Sequence, residues 1–313
     1  MRPTSRAAAR EPRTAQFAEA ARDLRSVRDL LRFGVTRFEQ AQLSFGHGTD
    51  NAYDEAAYLI LHTLHLPLDR LEPLLDAVLL PDEVRAVLAV IEQRVLDRQP
   101  AAYMTQEAWL GEYRFYVDQR AIVPRSHIAE LIAEGFSAWL PDPEAVTDVL
   151  DLCTGSGCLA VLLAEAYPKA RVDAVDLSAD ALEVARVNVE DYALEERIRL
   201  IHSDLFAGLR GRRYALIVSN PPYVDADAMN ELPPEYRCEP AQALAGGEDG
   251  MNIVRRILAQ AGDYLFPGGI VVVEVGSGRP AMEAAFPAVE PTWLSTSAGD
   301  DLVFLLERAQ LLI

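Results

Sequence analysis

An asparagine, two prolines and a tyrosine, Asn220, Pro221, Pro222 and Tyr223, directly follow the apolar run "YALIVS". A run of that kind reads as a buried strand, which puts a stiff polar loop at the mouth of a sheet. Its chemistry suits a planar nitrogen. An amide or aromatic amino nitrogen is a poor nucleophile because its lone pair is delocalised. Two fixed acceptors for its N–H groups, the Asn220 side-chain oxygen and a carbonyl of the Pro221–Pro222 segment, encourage it to pyramidalise toward a methyl donor. Each proline fixes its own φ and restricts the residue before it, so the acceptors stay rigid. Tyr223 can stack on the planar group. Catalysis would then be positioning plus electrostatics, with no obligatory general base.

The donor is read from "DLCTGSGCLA", Asp151 to Ala160. Gly155 and Gly157 allow a tight turn and close approach by a ligand, and the helix start beyond them offers free N–H groups. Gly155, Gly157 and Ala160 satisfy the dinucleotide fingerprint, and Asp176, 21 residues after Gly155, suits ribose hydroxyls. The fingerprint alone fits a nicotinamide cofactor as well as S-adenosylmethionine. Asp151 favours the second, because a carboxylate there meets a pyrophosphate unfavourably but suits the cationic end of a zwitterionic amino acid. Farther on, "HSDLF" supplies Asp204, able to accept from an adenine amino group, with Leu205 and Phe206 to cover its ring. Cys153, Cys158 and Cys238 are too few and too irregularly spaced for a disulfide framework or a zinc knuckle, and no metal is expected.

These residues need elements to hold them. "TDVLDLC", "ARVDAVDLS", "RIRLIHSDL", "YALIVS", "GGIVVVEVG", "PTWLSTS" and "DLVFLLER" read as strands with helices alternating among the first five. That pattern predicts an α/β fold, a seven-stranded doubly wound sheet, mostly parallel, with one antiparallel strand at the closing pair. Ligands in such sheets bind beyond the carboxyl ends of the strands, where every motif above sits. A helix is expected from Ser126 to Trp139. Residues 1–100 read as a helical domain: Phe17, Leu24, Val27, Leu30, Leu31, Val35 and Phe38 recur at helical spacing, and Thr49 or Asp50 is the expected N-cap of a further helix. Residues 101–125 read as a β-hairpin connector around Gly111, and 126–313 as the catalytic domain.

Composition limits the partners. The chain has 313 residues, 29 basic against 48 acidic, a net charge of −19 and a pI near 4.7. Residues 1–40 carry nine Arg against five Asp and Glu, so the remainder is more acidic still. Such a surface repels phosphate backbones and takes a basic protein more readily. There is no membrane-length apolar run, and the Arg-rich start lacks the apolar core of a secretory signal; a cytoplasmic location is expected.

"NPPY" after the fourth strand, with "TGSG" after the first, resembles the amino-group methyltransferases that act on glutamine side chains or on adenine. "PAAYMTQEAWLGEYRFYVD", "VPRS" and "EYRCEPAQALAGGEDG" are similar to the protein glutamine methyltransferases in particular, over nearly the whole chain from about Phe45. "FGHGTDNAYDEA", "DLCTGSGC" and "VPRSHIAEL" resemble the branch acting on large-subunit ribosomal protein uL3 more than the release-factor branch, although His127 stands where that branch has Pro. The resemblance implies a class I S-adenosylmethionine-dependent methyltransferase fold. It also implies that Asn220 and Tyr223 hold the glutamine, with Pro221 and Pro222 shaping the loop. Cys153, Thr154, Gly155, Ser156, Gly157, Asp176, Leu205 and Asn220 would line the cofactor. Arg125 and Glu130 are candidates for cofactor closure, Glu274 faces the same crevice by position, and His47 is a turn histidine able to touch a partner. The implied partner is basic uL3, recognised through the helical domain. Methylation of release factors, methylation of adenine in nucleic acid, and an assembly role without catalysis stay open. The charge weighs against the adenine reading, and the intact "NPPY" against the last.

Overall fold

A computed structural model describes residues 15–311, so the Arg-rich start, residues 1–14, lies outside the described residues. The chain forms two compact units. One runs up to Thr105 and also takes in Pro233–Cys238; the other comprises Gln106–Leu232 and Glu239 onward.

The first unit is helical. Residues 15–23 are helical and Val27–Ala41 follows, started by a capping box in which Ser26 and Asp29 satisfy each other's backbone N–H groups. Phe17, Val27, Leu30, Leu31 and Phe38 are buried together, as their spacing predicts. Helix Ala52–Thr63 is capped by Asn51 rather than by Thr49 or Asp50, its side chain accepting from the Asp54 N–H. Arg94, on helix Pro81–Asp97, is wholly buried and donates to Glu55 at 2.7 Å. The returning segment brings Glu235, also wholly buried, to 2.8 Å from Arg98 and 3.5 Å from Arg94. His47 is buried too, its ring centroid 4.2 Å from that of Tyr236 and tilted 50° to it. It is a turn histidine, as expected, but a buried one that packs within this unit.

The second unit opens with a hairpin, β1 (Ala108–Leu110) and β2 (Tyr113–Phe115), turning at Gly111; residues Ala101–Thr105, expected within the hairpin, are helical. Helix Ile128–Glu134 is shorter than the predicted 126–139, because Gly135 at φ 75° ends it. The main sheet contains β3 (Asp148–Leu152), β4 (Arg171–Asp176), β5 (Ile198–His202), β6 (Tyr214–Ser219), β9 (Leu265–Glu274), β10 (Thr292–Thr296) and β11 (Gly299–Glu307), in the order β10-β11-β9-β6-β3-β4-β5. The short strands β7 (Val224–Asp225) and β8 (Ala245–Gly247) pair separately. Strand β11 alone runs antiparallel to both of its neighbours, β9 and β10; the other main-sheet pairs are parallel.

Alternation along the central strands explains their continuous apolarity. Val149, Leu216, Val218 and Val272 face helices Ile128–Glu134 and Cys158–Ala166, while Leu150, Ile217, Val271 and Val273 face helix Asn252–Tyr264. Connections from β3 and β6 leave in opposite directions across the sheet, which opens a crevice at their carboxyl ends. No helix among the described residues is long and apolar enough to cross a membrane.

Candidate active site

The turn after β3 is built around Asp176. Its two oxygens accept from the backbone N–H groups of Gly155 and Ser178, each at 2.8 Å, which ties the end of β4 to the glycine turn. Gly155 has φ 56°, and a Cβ built there meets nothing within 4 Å. The turn thus presents bare backbone to open space. Gly157 serves packing instead, since a Cβ there would come within 3.0 Å of Ala185. Asp151 lies wholly buried beneath the turn, accepting from Thr154 Oγ1 at 2.5 Å with its other oxygen unpaired. Burial, with Asp176 nearby, pushes its carboxyl up to about 7. Thr154 and Ser156 are buried as well.

Cys153, Gly155, Asp176, Leu205, Asn220 and Pro222 line one cavity at these strand ends. Asp204 reaches it together with Arg256, to which it is paired at 2.8 Å, so one of its oxygens is engaged with that guanidinium and is not free for an adenine amino group. The residues fit a nucleoside carrying an amino acid. The glycine turn leaves a cradle and Asp176 lines it, whereas Asp151, wholly buried beneath the turn, does not line the cavity and bears on it only through its charge. At about 130 Å³ the cavity is smaller than the ~300–1,000 Å³ usual for ligand sites.

We term two of the lining segments its roof: Arg120–Ile122, and Pro240 with Gln242 and Ala243. Glu239 braces them. Its buried carboxylate accepts from Arg125 at 2.5 and 2.8 Å and from the Val123 N–H at 3.0 Å. Arg125 pairs with Glu239 but does not itself line this cavity, and neither does Glu130, which accepts from Ser297 of the β10–β11 turn. Glu239→Gln would keep an acceptor for Val123 but lose the charge-assisted fork. Its affinity for S-adenosylhomocysteine is expected to fall about tenfold by calorimetry; an unchanged affinity would show that the brace does not hold the roof.

On the other side of Asn220, the loop Asn220–Tyr223 is clasped by glycines. Ser219 Oγ donates to the Leu152 carbonyl at 2.8 Å, and the Val224 N–H donates to the Leu244 carbonyl at 2.9 Å, which fixes both ends. A Cβ at Gly250 would fall 2.3 Å from the Tyr223 carbonyl oxygen, and one at Gly276 would fall 2.7 Å from the Tyr223 ring. Tyr223 Oη lies 3.5 Å from Glu274 Oε1. The second oxygen of Glu274 accepts from Ser126 Oγ at 2.6 Å and from the His127 N–H at 2.9 Å. Burial raises the Glu274 carboxyl above its ordinary range. Gly250→Ala should cost at least ~2 kcal/mol, from a clash with backbone at positive φ, and lower the melting temperature by several degrees; a melt unchanged from wild type would contradict this packing.

Sequence reasoning did not single out Glu239, Gly250 or Gly276. Glu239 and Gly250 lie within "EYRCEPAQALAGGEDG", which carried only a family resemblance, and Gly276 lies in "EVGSG", which by itself reads as loop.

The Methyltransferase small domain family model matches residues 135–233. A ribosomal protein uL3 glutamine methyltransferase of Neisseria meningitidis serogroup B is 60% identical over 296 residues, covering 95% of this chain and 97% of its own. One of the same name from Burkholderia pseudomallei is 59% identical, covering 92% of this chain and 96% of its own. Among solved structures, a methyltransferase from Pyrococcus furiosus superposes with a TM-score of 0.42 at 19% identity, over 61% of this chain and 87% of that one.

Proposed function

The chain belongs to the ribosomal protein uL3 glutamine methyltransferases, and from that membership we propose that it transfers a methyl group from S-adenosylmethionine to the side-chain amide nitrogen of a glutamine in uL3. The fold is the class I α/β methyltransferase fold, with a helical unit before it. The observation that carries the reading is the rigid loop of Asn220, Pro221, Pro222 and Tyr223 at the carboxyl end of β6, beside the cavity that suits the donor.

When bound, S-adenosylmethionine supplies an electrophilic methyl on a sulfonium. Everything else falls to side chains and backbone of this chain. The Asn220 oxygen accepts one amide N–H and a carbonyl of the Pro221–Pro222 segment accepts the other, which turns the lone pair out of conjugation. Tyr223, backed by Gly276 and Glu274, covers the amide plane and excludes water. The nitrogen sheds its extra proton to solvent after transfer. The helical unit recognises the protein substrate, the net charge of −19 draws in a basic one, and the reaction takes place in the cytoplasm.

A substrate swap tests the choice of partner. With purified uL3 and a release factor offered separately, kcat/KM is expected to favour uL3 at least a hundredfold, the level a protein interface readily supplies (~3 kcal/mol). Preference for the release factor would keep the chemistry and overturn the substrate.

A further inference from the structure

We propose that a second cavity, beside the hairpin, is a docking cleft for a Lys- or Arg-containing segment of the protein substrate next to the methylated glutamine; this rests on the reading above. The cavity is about 880 Å³, far larger than the donor cavity, and lies between the hairpin tip, helix Ile128–Glu134 and the end of helix Cys158–Ala166. Its floor is apolar, with Ile132, Phe136, Leu162 and Ala166. Its rim carries the exposed carboxylates of Glu112, Glu134 and Glu165, none of which has a salt-bridge partner among the described residues. Tyr167, buried to 2% exposure, forms part of the wall.

Those features define one kind of occupant. An apolar floor under unpaired carboxylates takes the aliphatic stem of a lysine or arginine and meets its charged head. Position favours a protein already engaged at the catalytic loop. Ser126 and His127 line this cavity and hold one oxygen of Glu274, whose other oxygen faces Tyr223. One buried carboxylate therefore separates the cleft from the catalytic tyrosine. The guanidinium of Arg125, the one arginine in the lining, is taken up by Glu239, so the cleft's field is negative.

The test measures binding apart from turnover. Full-length protein saturated with S-adenosylhomocysteine is titrated with fluorescent uL3, and wild type is compared with Glu134→Lys/Glu165→Lys and with a control of equal charge change, Glu195→Lys/Glu196→Lys. Glu195 and Glu196 are exposed in the turn before β5. Reversal in the cleft is expected to raise the dissociation constant about tenfold or more and to flatten its salt dependence, with the control within about twofold of wild type. Equal weakening in both variants, no weakening in either, or no binding of uL3 by wild type would each overturn the cleft. Methyl transfer by wild type is assayed in parallel; if uL3 binds through the cleft but gains no methyl, the proposed reaction fails while the docking site stands.

Discussion

Asn220→Ala is expected to lower kcat/KM for glutamine methylation by roughly a hundred- to a thousandfold, the usual cost of losing one preorganised hydrogen-bonding group at the reacting centre. The loss should fall mainly on kcat. Without the side-chain acceptor an amide can still enter the site and lie under Tyr223, but its nitrogen keeps its lone pair in conjugation and presents no nucleophile. Loop and fold should survive, because the anchors on either side are the Ser219 hydroxyl on Leu152 and the Val224 N–H on Leu244, and Asn220 takes part in neither. Single-turnover rates with donor and protein substrate saturating measure this directly. A variant whose single-turnover rate stays within about threefold of wild type would remove Asn220 from the chemistry.

Asp151→Asn should act in opposite directions on stability and on binding. The Asp151 carboxyl sits at about 7 in the folded chain against an ordinary 3.8, because burial penalises the ion and Asp176 adds repulsion. The folded state therefore prefers the protonated form. The penalty is absent where both states are protonated, below about pH 3; it is still small at pH 4, grows as pH rises and is complete above about 7, where it reaches on the order of 4 kcal/mol. Asn keeps an acceptor for the Thr154 hydroxyl and carries no charge. Without ligand, the variant should thus be more stable than wild type at pH 8 by a few kcal/mol and nearly equal at pH 4, as read by urea unfolding. Its affinity for S-adenosylhomocysteine should fall about tenfold, since the ammonium of the amino acid moiety loses a carboxylate charge beneath the glycine turn. Lower stability than wild type at pH 8 would show that the carboxylate is compensated by something other than ligand.

The alternation of apolar strands and helices is written in consecutive residues, which is why the order of the sheet's elements and the antiparallel closing strand are readable without coordinates. The loop Asn220–Tyr223 and the turn at Gly155 are equally local. What escaped is what depends on partners far along the chain. Glu235 reads as a surface glutamate in "PPEYRC", and only the buried Arg94 and the neighbouring Arg98, some 140 positions earlier, explain why the chain returns to the helical unit there. Glu239 reads as solvent-facing until Arg125 and Val123 close on it. Gly250 and Gly276 pass for loop glycines because the atoms they make room for belong to Tyr223. The helix predicted for 126–139 failed for a local reason that periodicity hides: the apolar pattern continues through Phe136 and Trp139, but Gly135 turns the backbone out of the helix.

The central claim is best tested by the product itself. Purified protein, S-adenosylmethionine and uL3 are incubated together, and the uL3 peptides are mapped by fragment-ion mass spectrometry, with Asn220→Ala alongside. One methyl on a single glutamine side chain, absent with the variant, is the predicted result. A methyl on any other residue type, or the same methylation by Asn220→Ala, would contradict the account.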